Sequence, residues 1–130
     1  MASKFEIRAT KNGGYRFALK AANGQIISTS QIYKTIITCK KGITSVRVNA
    51  LTPIEDQTVT DSEITTLKNP KYEIYADKTG EFRFRLRAKN GQIILTSEGY
   101  GTKASCKNGI DAIGKNAPYA EVILLEDDLD

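Results

Sequence analysis

Residues 4 to 50 and 71 to 117 are two copies of one segment. They align without a gap at an offset of about 67 positions, and roughly 25 of the 47 pairs are identical. Asn23-Gly24-Gln25-Ile26-Ile27 returns as Asn90-Gly91-Gln92-Ile93-Ile94, Thr29-Ser30 as Thr96-Ser97, and Cys39-Lys40 as Cys106-Lys107. An internal repeat of this quality restricts the chain to folds made of two like halves. The 130 residues are the length of one ordinary domain. We therefore read residues 4–66 as the first repeat and 71–126 as the second, joined by a linker at 67–70 and followed by an acidic tail at 127–130.

Each copy opens with alternation of period two, the mark of half-buried strands. Tyr72, Ile74 and Ala76 face one way and Glu73, Tyr75 and Asp77 the other; Phe82, Phe84 and Leu86 then alternate with Arg83, Arg85 and Arg87. Lys78-Thr79-Gly80 suits a three-residue hairpin loop with Gly80 in the left-handed position. That loop sets Ile74 opposite Phe84, so both apolar sets share a face. Asn90-Gly91 predicts a tighter, two-residue type I′ hairpin. Its register would turn Ile93, Leu95 and Ser97 toward the core and Gln92, Ile94 and Thr96 away from it, with Gln25, Ile27 and Thr29 equivalent in the first copy.

A helix follows. Cys106, Ile110, Ile113 and Ala117 recur at helical spacing behind a capping Thr102, and Cys39, Ile43, Val46 and Ala50 repeat that spacing. The β-branched run in the first copy would favour a strand, but periodicity outranks propensity. Gly42 and Gly109 border the stripe, where a missing side chain lets a helix approach a sheet. Ala120 to Leu125 reads as a fourth strand, with Ile54 to Thr60 its weaker counterpart, and Thr60-Asp61-Ser62-Glu63 suggests a short helical turn. The expected architecture is α+β: three strands, a helix and a strand, twice over, in one largely antiparallel sheet with both helices on one face.

The run from Asn90 to Ile110, with Lys115-Asn116-Ala117-Pro118 behind it, closely resembles the YegP-like family of small bacterial proteins, and both copies resemble its repeat. The resemblance implies that the terminal strand of each repeat crosses to the other, and that two-repeat chains fold alone whereas one-repeat chains dimerise. The family has no established biochemical activity, so the resemblance carries over no functional residues. The first copy departs most from the pattern: Ile32, Ile36 and Ile37 stand where the second has Gly99, Lys103 and Ala104, and Leu51 replaces Pro118.

Composition narrows the chemistry. The chain contains no histidine and no tryptophan, and two cysteines. The usual general base, the commonest metal ligand and every Ser-His or Cys-His nucleophile are thereby absent. Cys39 and Cys106 fall on the inward helix stripes, as small apolar thiols do. No phosphate-binding loop, dinucleotide fingerprint or zinc spacing occurs. We expect a protein that is not an enzyme and uses no cofactor or metal. No stretch approaches the roughly 20 apolar residues of a membrane span, and the N-terminus lacks a signal-peptide core, so a cytoplasmic protein without a membrane role is expected.

The net charge of +4 hides an uneven distribution. Residues 4–50 carry +8 and 71–117 carry +4, whereas 51–70 carry −3 and 118–130 carry −5. On the outer face of the second strand, Arg83, Arg85 and Arg87 form a basic stripe beside Tyr75, matched in the first copy by Arg16 and Lys20 near Arg8. The hairpin register sets Glu73 opposite Arg85 and Tyr75 opposite Arg83, pairs that are ordinary on a sheet surface. It also sets Arg8 opposite Arg16, a like-charge pair that an anion would relieve. A second shared stripe, Gln25, Ile27 and Thr29 with Gln92, Ile94 and Thr96, hints at a contact surface. The leading expectation is a small binding module that uses the helix-free face of the sheet for a protein partner, monomeric or at most weakly dimeric. The alternative is a binder of nucleic acid or another polyanion through the basic stripe.

Overall fold

A computed structural model of the chain describes residues 3–125. The first repeat forms β1 (Lys4–Ala9), β2 (Tyr15–Lys20), β3 (Ile26–Thr29), α1 (Ile36–Asn49) and β4 (Ile54–Asp56). The second forms β5 (Lys71–Ala76), β6 (Phe82–Arg87), β7 (Ile93–Thr96), α2 (Lys103–Asn116) and β8 (Glu121–Leu124). All eight strands join one sheet in the order β4-β5-β6-β7-β3-β2-β1-β8. Each repeat gives its last strand to the other. β4 lies parallel to β5 with Ile54 on Tyr72, and β8 lies parallel to β1 with Val122 on Phe5. The halves meet antiparallel at Thr29 and Thr96, where Ser28 Oγ also donates to the Thr96 carbonyl at 3.0 Å.

The first hairpin of each repeat has the expected loop: Gly80 is left-handed at φ 87°, Ile74 pairs with Phe84, and Arg8 pairs with Arg16. The second hairpin differs from expectation. Asn90 keeps a negative φ and only Gly91 is left-handed, so the loop is Lys89-Asn90-Gly91, closed by the Ala88 amide on the Gln92 carbonyl at 2.8 Å. This loop holds one residue more than the type I′ turn, and a bulge between Leu86 and Arg87 takes the difference up again. Leu86 then faces Leu95, as expected, but Ile93 lies across from Arg87 and Ile94 is tucked inside. The first copy repeats the pattern, with Ile26 outward and Ile27 inward. Ile27 and Ile94 are therefore core residues and not part of an outer stripe. Burying a side chain of this size stabilises by about 1.5–3 kcal/mol, which favours the bulged register.

Both segments read as helices are helices. Thr35 and Thr102 cap them, accepting from the amides of Thr38 at 3.0 Å and Ser105 at 3.1 Å. Their inner stripes close over the inward residues Phe17, Leu19, Phe84 and Leu86, forming one core cluster from both repeats. Tyr33 and Tyr100 stack on Phe17 and Phe84 and bring their hydroxyls against Gly42 and Gly109. A Cβ at Gly109 would lie 2.5 Å from the Tyr100 hydroxyl, which is what the glycine beside each apolar stripe accommodates. Glu63 closes the expected helical turn at 61–63, its amide bonding the Thr60 carbonyl at 2.8 Å. β4 ends at Asp56, well short of Thr60. The acidic tail lies outside the described residues.

Candidate binding surface on the helix-free face of the sheet

The outward residues form rows across all the strands. The central row runs Glu55, Glu73, Arg85, Thr96, Thr29, Ala18, Glu6, Ile123, with the pseudo-two-fold between the two threonines. Glu73 and Glu6 hold equivalent places and both carboxylates are buried. Their surroundings differ.

In the second repeat the basic stripe is tied to acids. The Nε of Arg85 and of Arg87 donate to Glu73 Oε1 at 2.5 and 2.8 Å, and Arg83 Nε donates to Asp77 Oδ2 at 2.7 Å. The Arg85 guanidinium covers Tyr75, 4.4 Å from the ring centroid. Lys71, itself buried, bridges Glu55 at 2.7 Å and Glu73 at 3.3 Å. Glu55 also accepts from Gln57 Nε2 at 2.6 Å and from the Leu67 amide at 2.7 Å, anchoring the inter-repeat connection to β4.

These contacts set the acid response. Burial alone would raise Glu55, but the Lys71 ammonium, the Gln57 amide and the Leu67 amide outweigh it and hold the carboxyl down to about 2. Asp56 behaves likewise: desolvation is overcome by Lys103 Nζ at 2.9 Å and by Thr58, leaving it at about 2. Burial of Glu73 is outweighed by Arg85 and Arg87, so it too is lowered. A carboxyl depressed by folding contributes stability that is complete above its unfolded value and is lost as pH falls through its folded value. The midpoint of thermal unfolding should therefore decline between about pH 4.5 and pH 2. A pH series of melts on Glu55→Gln should show a shallower decline than the parent; an unchanged slope would contradict the assignment.

In the first repeat Ala18 stands where the second has Arg85, and Arg8 where it has Tyr75. Lys20 Nζ lies 2.9 Å from Glu6 Oε1, with Arg8 at 3.5 Å and Lys4 at 3.9 Å from the same carboxylate. Oε1 receives no aligned hydrogen bond among the described residues, so Lys20 holds it as an ion pair and lowers its pKa. Arg16 donates to the Ser30 carbonyl at 3.3 Å and meets no carboxylate among the described residues. The missing side chain at Ala18 leaves a hollow of about 180 Å³, bordered by Glu6, Arg8, Arg16, Lys20 and Thr29. A second hollow of about 400 Å³ continues along the seam past Ile26, Thr29, Thr96 and Arg83.

The sequence-selected residues thus divide. Arg8, Arg16, Lys20 and Thr29 gather at the first hollow, Arg8 and Lys20 being paired with Glu6 there, while Arg83, Arg85, Arg87 and Tyr75 are engaged with one another and with acids. Gln25 and Gln92 are exposed beside the hairpin loops, and Thr96 lines the seam. Ile27 and Ile94 are buried and form no outer stripe. Sequence reasoning missed Glu6 as the centre of the first cluster and Ala18 as its gap. Both were visible in the alignment of the copies, one as an identity and one as a difference. Cys39 and Cys106 are free and buried, and burial pushes both thiols up to about 11.

Fold and surface together define a pseudo-symmetric α+β protein whose two repeats exchange terminal strands beneath an open, charged sheet face. The chain belongs to the family described as "Domain of unknown function (DUF1508)", whose model matches residues 10–56 and again 77–123. It is 38% identical over 112 residues to the UPF0339 protein YegP of Yersinia pestis, covering 86% of each chain. A UPF0339 protein of Methanosarcina acetivorans is 52% identical over 56 residues, which are 43% of this chain and 97% of that one, the size of a single repeat. The solution NMR structure of "protein of unknown function yegP" from E. coli superposes with a TM-score of 0.76 at 34% identity, covering 95% of this chain and 93% of that one.

Proposed function

We propose that the protein is a non-catalytic binding module that engages an acidic protein partner through the first-repeat half of the helix-free face. One observation carries this reading: Arg16, which meets no carboxylate among the described residues, borders an open hollow at Ala18 beside the Lys20–Glu6 ion pair, in the place that Arg85 fills in the other repeat. A carboxylate entering there would meet Arg16 and form charge-assisted hydrogen bonds with it. The absence of histidine and the raised thiols of Cys39 and Cys106 support a role without catalysis. Nucleic acid ranks second. A polynucleotide needs a line of available cations and an open aromatic face, whereas Arg83, Arg85 and Arg87 are paired and Tyr75 is covered.

The test is a calorimetric titration with a short polyglutamate peptide and with a single-stranded oligonucleotide, each at low and moderate salt. The peptide is expected to bind, with Arg16→Ala/Lys20→Ala weakening it about tenfold and Arg83→Ala leaving it nearly unchanged. No peptide binding at low salt would overturn the proposal. Oligonucleotide binding that depends on Arg83 would replace it with the alternative.

A further inference from the structure

Arg47 of α1 and Gly114 of α2 are the same position in the two copies. The Arg47 guanidinium lies over Phe5, 5.4 Å from the ring centroid, and donates to the carbonyls of Ala120 at 2.6 Å and Pro118 at 3.5 Å. One half of the molecule thus seats a guanidinium in the crevice between a helix and the segment entering a terminal strand.

The twin crevice lies between α2 and the segment entering β4. The strand registers match Ile54 on Tyr72 with Val122 on Phe5, so Tyr72 takes the place of Phe5 and Thr52 that of Ala120. Gly114 contributes no side chain, and a hollow of about 240 Å³ remains, bordered by Leu51, Thr52, Ile54, Tyr72 and Asp111. The Tyr72 side chain is fully buried and its hydroxyl already donates to the Ala50 carbonyl at 2.8 Å, so the tyrosine can give an incoming group its ring face, once uncovered, and not its proton. Asp111 is held by Lys115 at 2.9 Å, an exposed helix-surface pair that an incoming cation can displace at little cost. The exposed Leu51 reaches over Gly114 and can swing aside.

We propose that this hollow receives the guanidinium of a partner protein's arginine, in the place that Arg47 fills from within in the other half. A planar cation suits an aromatic wall with a carboxylate at the rim, where it can bond bidentately; a lysine ammonium matches neither feature as well. The site lies apart from the helix-free face and stands or falls independently of binding there.

Amide chemical shifts of the full chain, titrated with N-acetyl-arginine methylamide, provide the test. Shifts are expected to concentrate at 50–54 and 110–115 and to saturate with a dissociation constant on the order of a millimolar. The citrulline analogue, of similar shape without the charge, should give none, and the lysine analogue should bind several-fold more weakly. Gly114→Arg should abolish the response by supplying the guanidinium in cis. Should Gly114→Arg not fold, Asp111→Asn, a change on an exposed helix surface, should weaken binding several-fold without moving the melting midpoint. Shifts that are absent, spread over the surface, equalled by citrulline or lysine, or undiminished in the variants would overturn the proposal.

Discussion

Lys71→Met is expected to destabilise the protein by about 3–5 kcal/mol at neutral pH, the range for removing one partner from a buried ionic network. Lys71 sits between Glu55 and Glu73, which face each other across the β4–β5 pairing, and all three are buried. Without the ammonium, two neighbouring carboxylates confront one another. Glu73 keeps Arg85 and Arg87, whereas Glu55 keeps only the neutral donors Gln57 and the Leu67 amide among its contacts here. The deficit should be largest above pH 4.5, the ordinary value for Glu55, and should shrink in acid as that carboxyl takes up a proton. Lys71→Met/Glu55→Gln should recover a large part of the loss. Urea unfolding at neutral and acid pH measures all of this, and a loss below about 1 kcal/mol at neutral pH would contradict the network's role.

Phe84→Ala is expected to cost a similar amount, about 3–5 kcal/mol, and Phe17→Ala to match it. Each ring is fully buried and packs edge-on against an aromatic of the adjoining strand, Tyr72 in one half and Phe5 in the other. The instructive part is cooperativity. The rings belong to different repeats but to one core cluster, with β4 and β8 exchanged between the halves. Either variant should lower a single transition, seen alike by far-ultraviolet circular dichroism and by tyrosine fluorescence. Two separable transitions, one for each repeat, would mean that the halves fold independently.

Much of this fold is legible in the sequence because the alternation of Phe82, Phe84 and Leu86 with three arginines fixes a buried face, and the spacing of Cys106, Ile110 and Ile113 fixes a helix. The misplaced residues, Ile27 and Ile94, follow from one ambiguity. Asn-Gly suits both a two-residue turn with two left-handed residues and a three-residue loop with left-handed glycine alone. What decides between them is whether a bulge can hide a second isoleucine under a helix, a matter of tertiary packing. The surface divides the same way. The Arg8–Arg16 and Glu73–Arg85 pairs follow directly from hairpin register. The sharing of Glu73 by Arg87, the capture of Arg83 by Asp77 and the hollow at Ala18 depend on side-chain reach, which alternation does not encode.

The division of the helix-free face into a closed half and an open half is tested most directly by mapping amide chemical shifts during titration with the polyglutamate peptide. The expected result is that the largest changes fall on residues 16–20 and 26–29, and that Arg16→Ala/Lys20→Ala removes them. Largest changes at residues 83–87, or an even spread over both halves, would contradict it.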